Sequence, residues 1–142
     1  MPSTATAPAR GESAVRPPSS KTIVVIDDLD DLAEVLLMLL NSSGYNASSA
    51  ADGYSGLRLA VESNADLVIM DHLMPVMLGS EVGRALRAHT EARRAKIVFM
   101  SATPEEEIRA TFQDYDAFLQ KPCPPEQMLS VVAALLEANP GK

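Results

Sequence analysis

Short, continuously apolar runs alternate along the chain with longer stretches in which apolar residues recur every three or four positions. Thr22–Ile26 (TIVVI) is β-branched and apolar throughout, as a strand buried on both faces should be. After it, Leu32, Val35, Leu36, Leu39 and Leu40 recur at helical spacing. Asp30 is placed to cap that helix, and Gly44 suits the left-handed position that ends it. Tyr45–Ala50 predicts a weaker, more polar edge strand, and 52–64 a second helix with Leu57, Ala60 and Val61 facing inward. Asp66–Met70 (DLVIM) predicts a third strand, followed by a proline-bearing loop at 71–78, a third helix over 79–89, and a fourth strand at Lys96–Met100 (KIVFM). Pro104 fits the first turn of a fourth helix, whose positive end Glu105, Glu106 and Glu107 favour. Tyr115–Gln120 predicts a short fifth strand, and Pro124 and Pro125 lead into a last helix ending near Ala138.

Five strands alternating with five helices predict a single α/β domain, a doubly wound (βα)5 parallel sheet, over 21–139. Residues 140–142 form a C-terminal end. Residues 1–20 are rich in Ala, Pro, Ser and Thr without apolar periodicity, which predicts a disordered N-terminal tail. Right-handed crossovers place every strand's C-terminal end on one edge of the sheet, and ligands bind outside that edge where strand order reverses.

Composition narrows the classes. The 142-residue chain is 46% hydrophobic, enough for a core, and carries a net charge of −7. That charge argues against sequence-independent binding to DNA or to anionic membrane, which need a basic face. One cysteine, Cys123, excludes an intrachain disulfide and predicts a reducing compartment. The longest apolar stretches are too short to cross a bilayer, so the expected location is cytoplasmic.

The edge rule selects the candidate chemistry. Strand one ends at Asp27 and Asp28, strand three at Asp71, strand four at Ser101 and strand five at Lys121. Carboxylates crowded together repel unless a cation neutralises them. An oxygen-only set of two or three carboxylates with a carbonyl and waters suits Mg²⁺. A lysine and a hydroxyl opposite such a metal answer the oxygens of a phosphoryl group. Asp71 projects alone from its strand end, as a nucleophile should.

The motifs in this order (IVVIDD at 23–28, DxxMP at 71–75, Gly79, Ser101-Ala102, and FLQKP at 118–122) closely resemble the receiver domain of two-component response regulators, of the chemotaxis-receiver type. The resemblance spans about residues 21 to 138. It implies the flavodoxin-like strand order 2-1-3-4-5. It implies that Asp71 accepts a phosphoryl group from a sensor histidine kinase or a histidine phosphotransfer protein, and that Asp28 and Asp71 bind Mg²⁺ directly. Asp27 would act through water and the Leu73 carbonyl would complete the protein ligands. Lys121 would pair with a phosphoryl oxygen, Ser101 would move toward another, and Phe118 would change rotamer as Ser101 moves. A cis Lys121–Pro122 bond is implied as well. The chain departs from the pattern at Val76 and Leu78, where glycine and an acid are common, and at Asp114-Tyr115, where Gly-Ala is usual.

The expected role is a phosphorylation-dependent switch or phosphorelay intermediate, not an enzyme turning over an external substrate. Its output partner is unknown, it should not bind nucleic acid or membrane directly, and homodimer formation on phosphorylation is a further expectation. With no output domain after the fifth helix, the expectations are a stand-alone receiver, a relay intermediate or a receiver cut from something larger. The alternative from another class is a metal-dependent phosphohydrolase with an aspartyl-phosphate intermediate, for which Asp28-Leu29-Asp30 supplies a DxD; it lacks an acidic motif after strand four and leaves DxxMP unexplained. A flavin carrier would need a Ser/Thr-rich first loop where this chain has acids. His72 should point away from the face of Asp71, Cys123 should pack as a small hydrophobe, and Arg84, Arg87, Arg93, Arg94 and Lys96 should form a solvated face.

Overall fold

The computed structural model describes residues 20–137, so the expected N-terminal tail, apart from Ser20, and residues 140–142 lie outside the described residues. Strands and helices alternate strictly: β1 (Thr22–Ile26), α1 (Asp30–Ser42), β2 (Asn46–Ala50), α2 (Gly53–Glu62), β3 (Leu67–Met70), α3 (Gly79–Ala88), β4 (Lys96–Ser101), α4 (Glu105–Arg109), β5 (Ala117–Gln120) and α5 (Pro125–Glu137). The five strands form one parallel sheet in the order β2-β1-β3-β4-β5. This is the flavodoxin-like architecture that the resemblance implied.

Side-chain alternation within the central strands divides the core into two layers. Ile23 and Val25 of β1 and Val98 and Met100 of β4 pack with Leu36 and Leu40 of α1 and Met128 and Val132 of α5. Val24, Ile26, Val68 and Met70 point the other way, toward Ala60, Val82, Leu86, Ile108, Phe112 and the fully buried Phe99. Truncating Phe99 to alanine would cost about 3–5 kcal/mol, since the cavity adds to the lost transfer energy. β2 (NASSA) lies on the sheet edge and its residues are only partly buried, consistent with its polar sequence.

Element boundaries shift from the expected ones for identifiable reasons. Leu29 occupies the N-cap of α1 while Asp30 and Asp31 lie in the first turn, so Asp30 does not cap that helix. Val35 is exposed, and Ala33 takes the inward place beside Leu36 and Leu40. Tyr45 is spent on closing α1, its N–H donating to the Leu40 carbonyl at 3.2 Å, and β2 starts one residue later. Asn64, at φ 53°, terminates the chain segment after α2. Asp66 and Asp116 stand just outside their strands, and each carboxylate accepts the N–H of a neighbouring strand residue, Thr22 and Ile97 respectively, at 2.8 Å. His89 has extended backbone and ends α3 at Ala88, and β4 runs on to Ser101. Pro104 sits at the N-cap of α4, before its first helical residue. Gly44, at φ 98°, holds the left-handed position after α1.

Candidate functional site

The C-terminal ends of β1, β3, β4 and β5 gather Asp27, Asp71, Ser101 and Lys121 at one edge. The Lys121 ammonium donates to the Asp27 and Asp71 carboxylates at 3.0 Å each, across 94 and 50 residues of sequence. Both ion pairs are largely buried. Burial alone would push the Lys121 pKa down, but hydrogen bonds and charge from Asp71 and Asp27 outweigh it and raise it above the ordinary lysine value. The Lys121–Pro122 peptide is cis, as the resemblance implied.

Local backbone sets the aim of each acid. Asp27 is 4% exposed, and its second oxygen accepts the Leu29 N–H at 3.0 Å. One oxygen of Asp71 accepts the His72 N–H at 2.6 Å, which leaves the other for Lys121. Gly79 closes the loop behind it by donating its N–H to the His72 carbonyl at 2.7 Å, and a Cβ there would collide with the Asp71 carbonyl. That contact accounts for the glycine in the motif. Asp28 and Leu73 are exposed at the mouth. Among the described residues, no group of three or more His, Cys, Asp or Glu side chains converges as a metal site, so Asp27, Asp28 and Asp71 are not drawn into a three-carboxylate cage.

Ser101 is 1% exposed and accepts the Thr103 N–H on Oγ at 3.0 Å. Phe118, half-buried on β5, packs against the cluster around Phe99 and lines a cavity of about 400 Å³ with Pro104, Glu105, Glu106, Arg109 and Gln120. His72 turns away from the acids, edge-on to the Phe99 ring, and its Nδ1 accepts the Ser80 N–H at 3.3 Å. Burial lowers its pKa, against the opposing pull of Asp71, Glu107 and Glu81. Cys123 is a free thiol beside Leu32, Met100 and Pro122.

The expected solvated basic face is only partly so. Arg87 donates to the carbonyls of Arg93, Ala95 and Asp114 and pairs with Asp114 and Asp116. Arg84 donates to the Thr111 carbonyl at 2.7 Å. Both fasten the α4–β5 segment to α3. The sequence pattern gave no role to Gln120, whose amide holds the loop after β4 through the Ala102 carbonyl at 3.2 Å, or to the Thr103 N–H, which donates to Ser101 Oγ, a turn-forming spacing for a serine. Leu29, Tyr54, Leu73, Val76 and Leu78, all large and exposed, ring the same edge.

Known proteins similar to this chain indicate its family and fold. RpaA of Synechocystis sp., named a DNA-binding dual master transcriptional regulator, is 33% identical over 118 residues, 80% of this chain and 48% of that protein. The response regulator ArlR of Staphylococcus aureus is 29% identical over 84% of this chain and 54% of its own length. The chain thus spans about half the length of the curated relatives it matches, and the name of RpaA runs against extending the no-nucleic-acid expectation to such longer proteins. The solved structure of the chemotaxis response regulator CheY4 of Vibrio cholerae is 27% identical with a TM-score of 0.74, covering 82% of this chain and 98% of that one. The receiver domain of the sensor histidine kinase PA1611 of Pseudomonas aeruginosa, described with a magnesium ion in its active-site cleft, shares the fold at a TM-score of 0.75, 24% identical over 83% of this chain and 98% of its own. Among the described residues, no helix is long and apolar enough to cross a membrane. Residues 23–133 match the response regulator receiver domain family, and the chain belongs to that family of two-component signalling domains.

Proposed function

We propose that Asp71 accepts a phosphoryl group from a histidine kinase or a histidine phosphotransfer protein, and that the domain acts in the cytoplasm as a phosphorylation-dependent switch or relay intermediate rather than as a turnover enzyme. The observation that carries this reading is the Lys121 ammonium, bonded to Asp27 and Asp71 at 3.0 Å each in a partly buried cluster. The Asp71 oxygen attacks phosphorus as the P–N bond of the donor's phosphohistidine breaks, which leaves an acyl phosphate on Asp71 and a free imidazole on the donor. Lys121 and the Ser101 hydroxyl are the donors available to the phosphoryl oxygens.

The donor set fits Mg²⁺. Asp27 and Asp71 meet at the Lys121 ammonium, the exposed Asp28 and Leu73 follow them in the chain by one and two residues, and an all-oxygen donor set of this kind suits the ion. Asp28, Asp71 and the Leu73 carbonyl would hold the ion and Asp27 would act through water; a cation that keeps several waters needs no three-carboxylate cage. When bound it would neutralise the carboxylates and the transferred oxygens. Asp71→Asn should abolish labelling by acetyl phosphate while the fold survives, and excess chelator should do the same to the wild type. Asp28→Ala should lose more Mg²⁺ affinity than Asp27→Ala. Undiminished labelling of Asp71→Asn, mapped by mass spectrometry to another residue, would overturn the assignment.

A further inference from the structure

Among the described residues, one buried side-chain polar atom has no hydrogen-bond partner: Oγ1 of Thr103, a residue 6% exposed. It lies in the loop between β4 and α4, two residues beyond Ser101. That loop is held by three bonds. The Lys121 N–H donates to the Ser101 carbonyl at 2.9 Å, the exposed Gln120 amide donates to the Ala102 carbonyl at 3.2 Å, and the Thr103 N–H donates to Ser101 Oγ at 3.0 Å. Every one of these serves the backbone or Ser101, and none reaches the Thr103 hydroxyl.

A buried hydroxyl without a partner raises the free energy of the arrangement that buries it, and native structures keep few such groups. Any displacement that brings Oγ1 to a carbonyl, a water or a phosphoryl oxygen recovers that energy. A serine hydroxyl accepts and donates at once, so Ser101 can keep the Thr103 N–H while donating its own proton to a phosphoryl oxygen. The bond between the two residues can therefore be kept when Ser101 turns its proton to the phosphoryl group. We propose that Thr103 is a positioning residue for the switch: its orphaned hydroxyl destabilises the resting loop over 101–103 and favours the displaced loop in which Ser101 meets the phosphoryl group. The inference rests on Asp71 being the phosphoacceptor. It assigns to Thr103 a bias between two loop states, with no bond to the substrate in the resting structure.

Thr103→Val keeps the shape and removes the orphan, and Thr103→Ser keeps the hydroxyl. Without Mg²⁺ and beryllofluoride, the phosphoryl mimic, Thr103→Val should melt higher than wild type. It should bind the mimic about tenfold more weakly, because the binding-competent loop is less populated. The free variant's amide shifts for residues 101–103 and 118 should move away from their mimic-bound positions. Thr103→Ser should restore wild-type binding, and Thr103→Ala should share the weakened binding of Thr103→Val. Equal or tighter mimic binding by both Thr103→Val and Thr103→Ala, or weakened binding by Thr103→Ser, would overturn the inference while leaving Asp71 in place. No binding of the mimic by the wild type would overturn the phosphoacceptor reading and this inference with it.

Discussion

The acidic pocket and the segment from Ala102 to Asp116 lie side by side in the fold but are held by different means. In the pocket, Asp27, Asp71 and Lys121 extend directly from strands β1, β3 and β5, and buried ion pairs close the triangle. The neighbouring segment contains a helix of only five residues. It is fastened by side chains reaching from outside: Arg84 to the Thr111 carbonyl, Arg87 to Asp114 and Asp116, and the Glu105–Tyr115 and Glu105–Arg109 contacts within the segment. A strand position is set by its whole ladder, whereas a segment hung on partly exposed side-chain bonds can reorganise locally. The groups proposed to react are thus held at strand ends, and the surface proposed to report the reaction is held by side-chain bonds that can rearrange locally.

The contrast is broken most directly at Lys121. Lys121→Met should destabilise the metal-free protein by about 3 kcal/mol, because two nearly buried carboxylates lose their shared cation. Millimolar Mg²⁺ should restore much of that loss in a thermal melt, while phosphoryl uptake stays low. Equal melting of wild type and variant in chelator would show that the ion pairs contribute nothing to stability.

On the other side, Arg87→Met should cost about 1–2 kcal/mol, since it strips the partly buried Ala95 carbonyl of its donor together with the exposed carbonyls of Arg93 and Asp114. Hydrogen exchange should quicken between residues 110 and 117, and Asp71 should still be labelled by acetyl phosphate. Loss of labelling together with the fold would show that the two regions are not separable.

A smaller effect concerns His72, whose burial links the back of the Asp71 loop to Phe99 and Ser80. Its pKa is lowered in the folded protein, so the unfolded chain binds more protons just below its ordinary value. The stability that His72 contributes is therefore fully present above about pH 6.5 and is lost as pH drops from there through the lowered folded pKa. His72→Met should flatten this part of a plot of melting temperature against pH. An unchanged slope would assign the acid loss to other groups.

The smallest effect is expected at Val76, a β-branched residue at φ 76° and 76% exposed in the loop after Asp71. L-residues are strained there by about 1–2 kcal/mol, and a glycine gives part of that back through its freer unfolded state. Val76→Gly should raise stability by about 0.5–1 kcal/mol in a denaturant titration. A loss of stability would mean that the exposed valine makes contacts that outweigh its backbone strain.

Hydrophobic periodicity by itself determined the number, type and order of the elements, because a strand buried on both faces and an amphipathic helix leave different repeats in the chain. With the parallel-sheet rule it also brought Asp27, Asp71, Ser101 and Lys121 to one edge, where the structure places them; the strand order came from family resemblance. What periodicity left open depends on partners distant in sequence. Asp66 and Asp116 look like strand residues until the neighbouring N–H groups that claim their carboxylates are in place. Arg84 and Arg87 look like a solvated face until α3 meets the α4–β5 segment. Val35 fits the helical repeat of α1, yet only the packed sheet decides that Ala33 is the residue to bury. Thr103 stands at the limit of what a sequence carries: a threonine can satisfy its hydroxyl locally in almost any turn, and only the assembled loop leaves it buried without a partner. Local pattern settles what a segment becomes, while long-range contacts settle where its polar atoms find partners, and the tertiary structure alone decides the second.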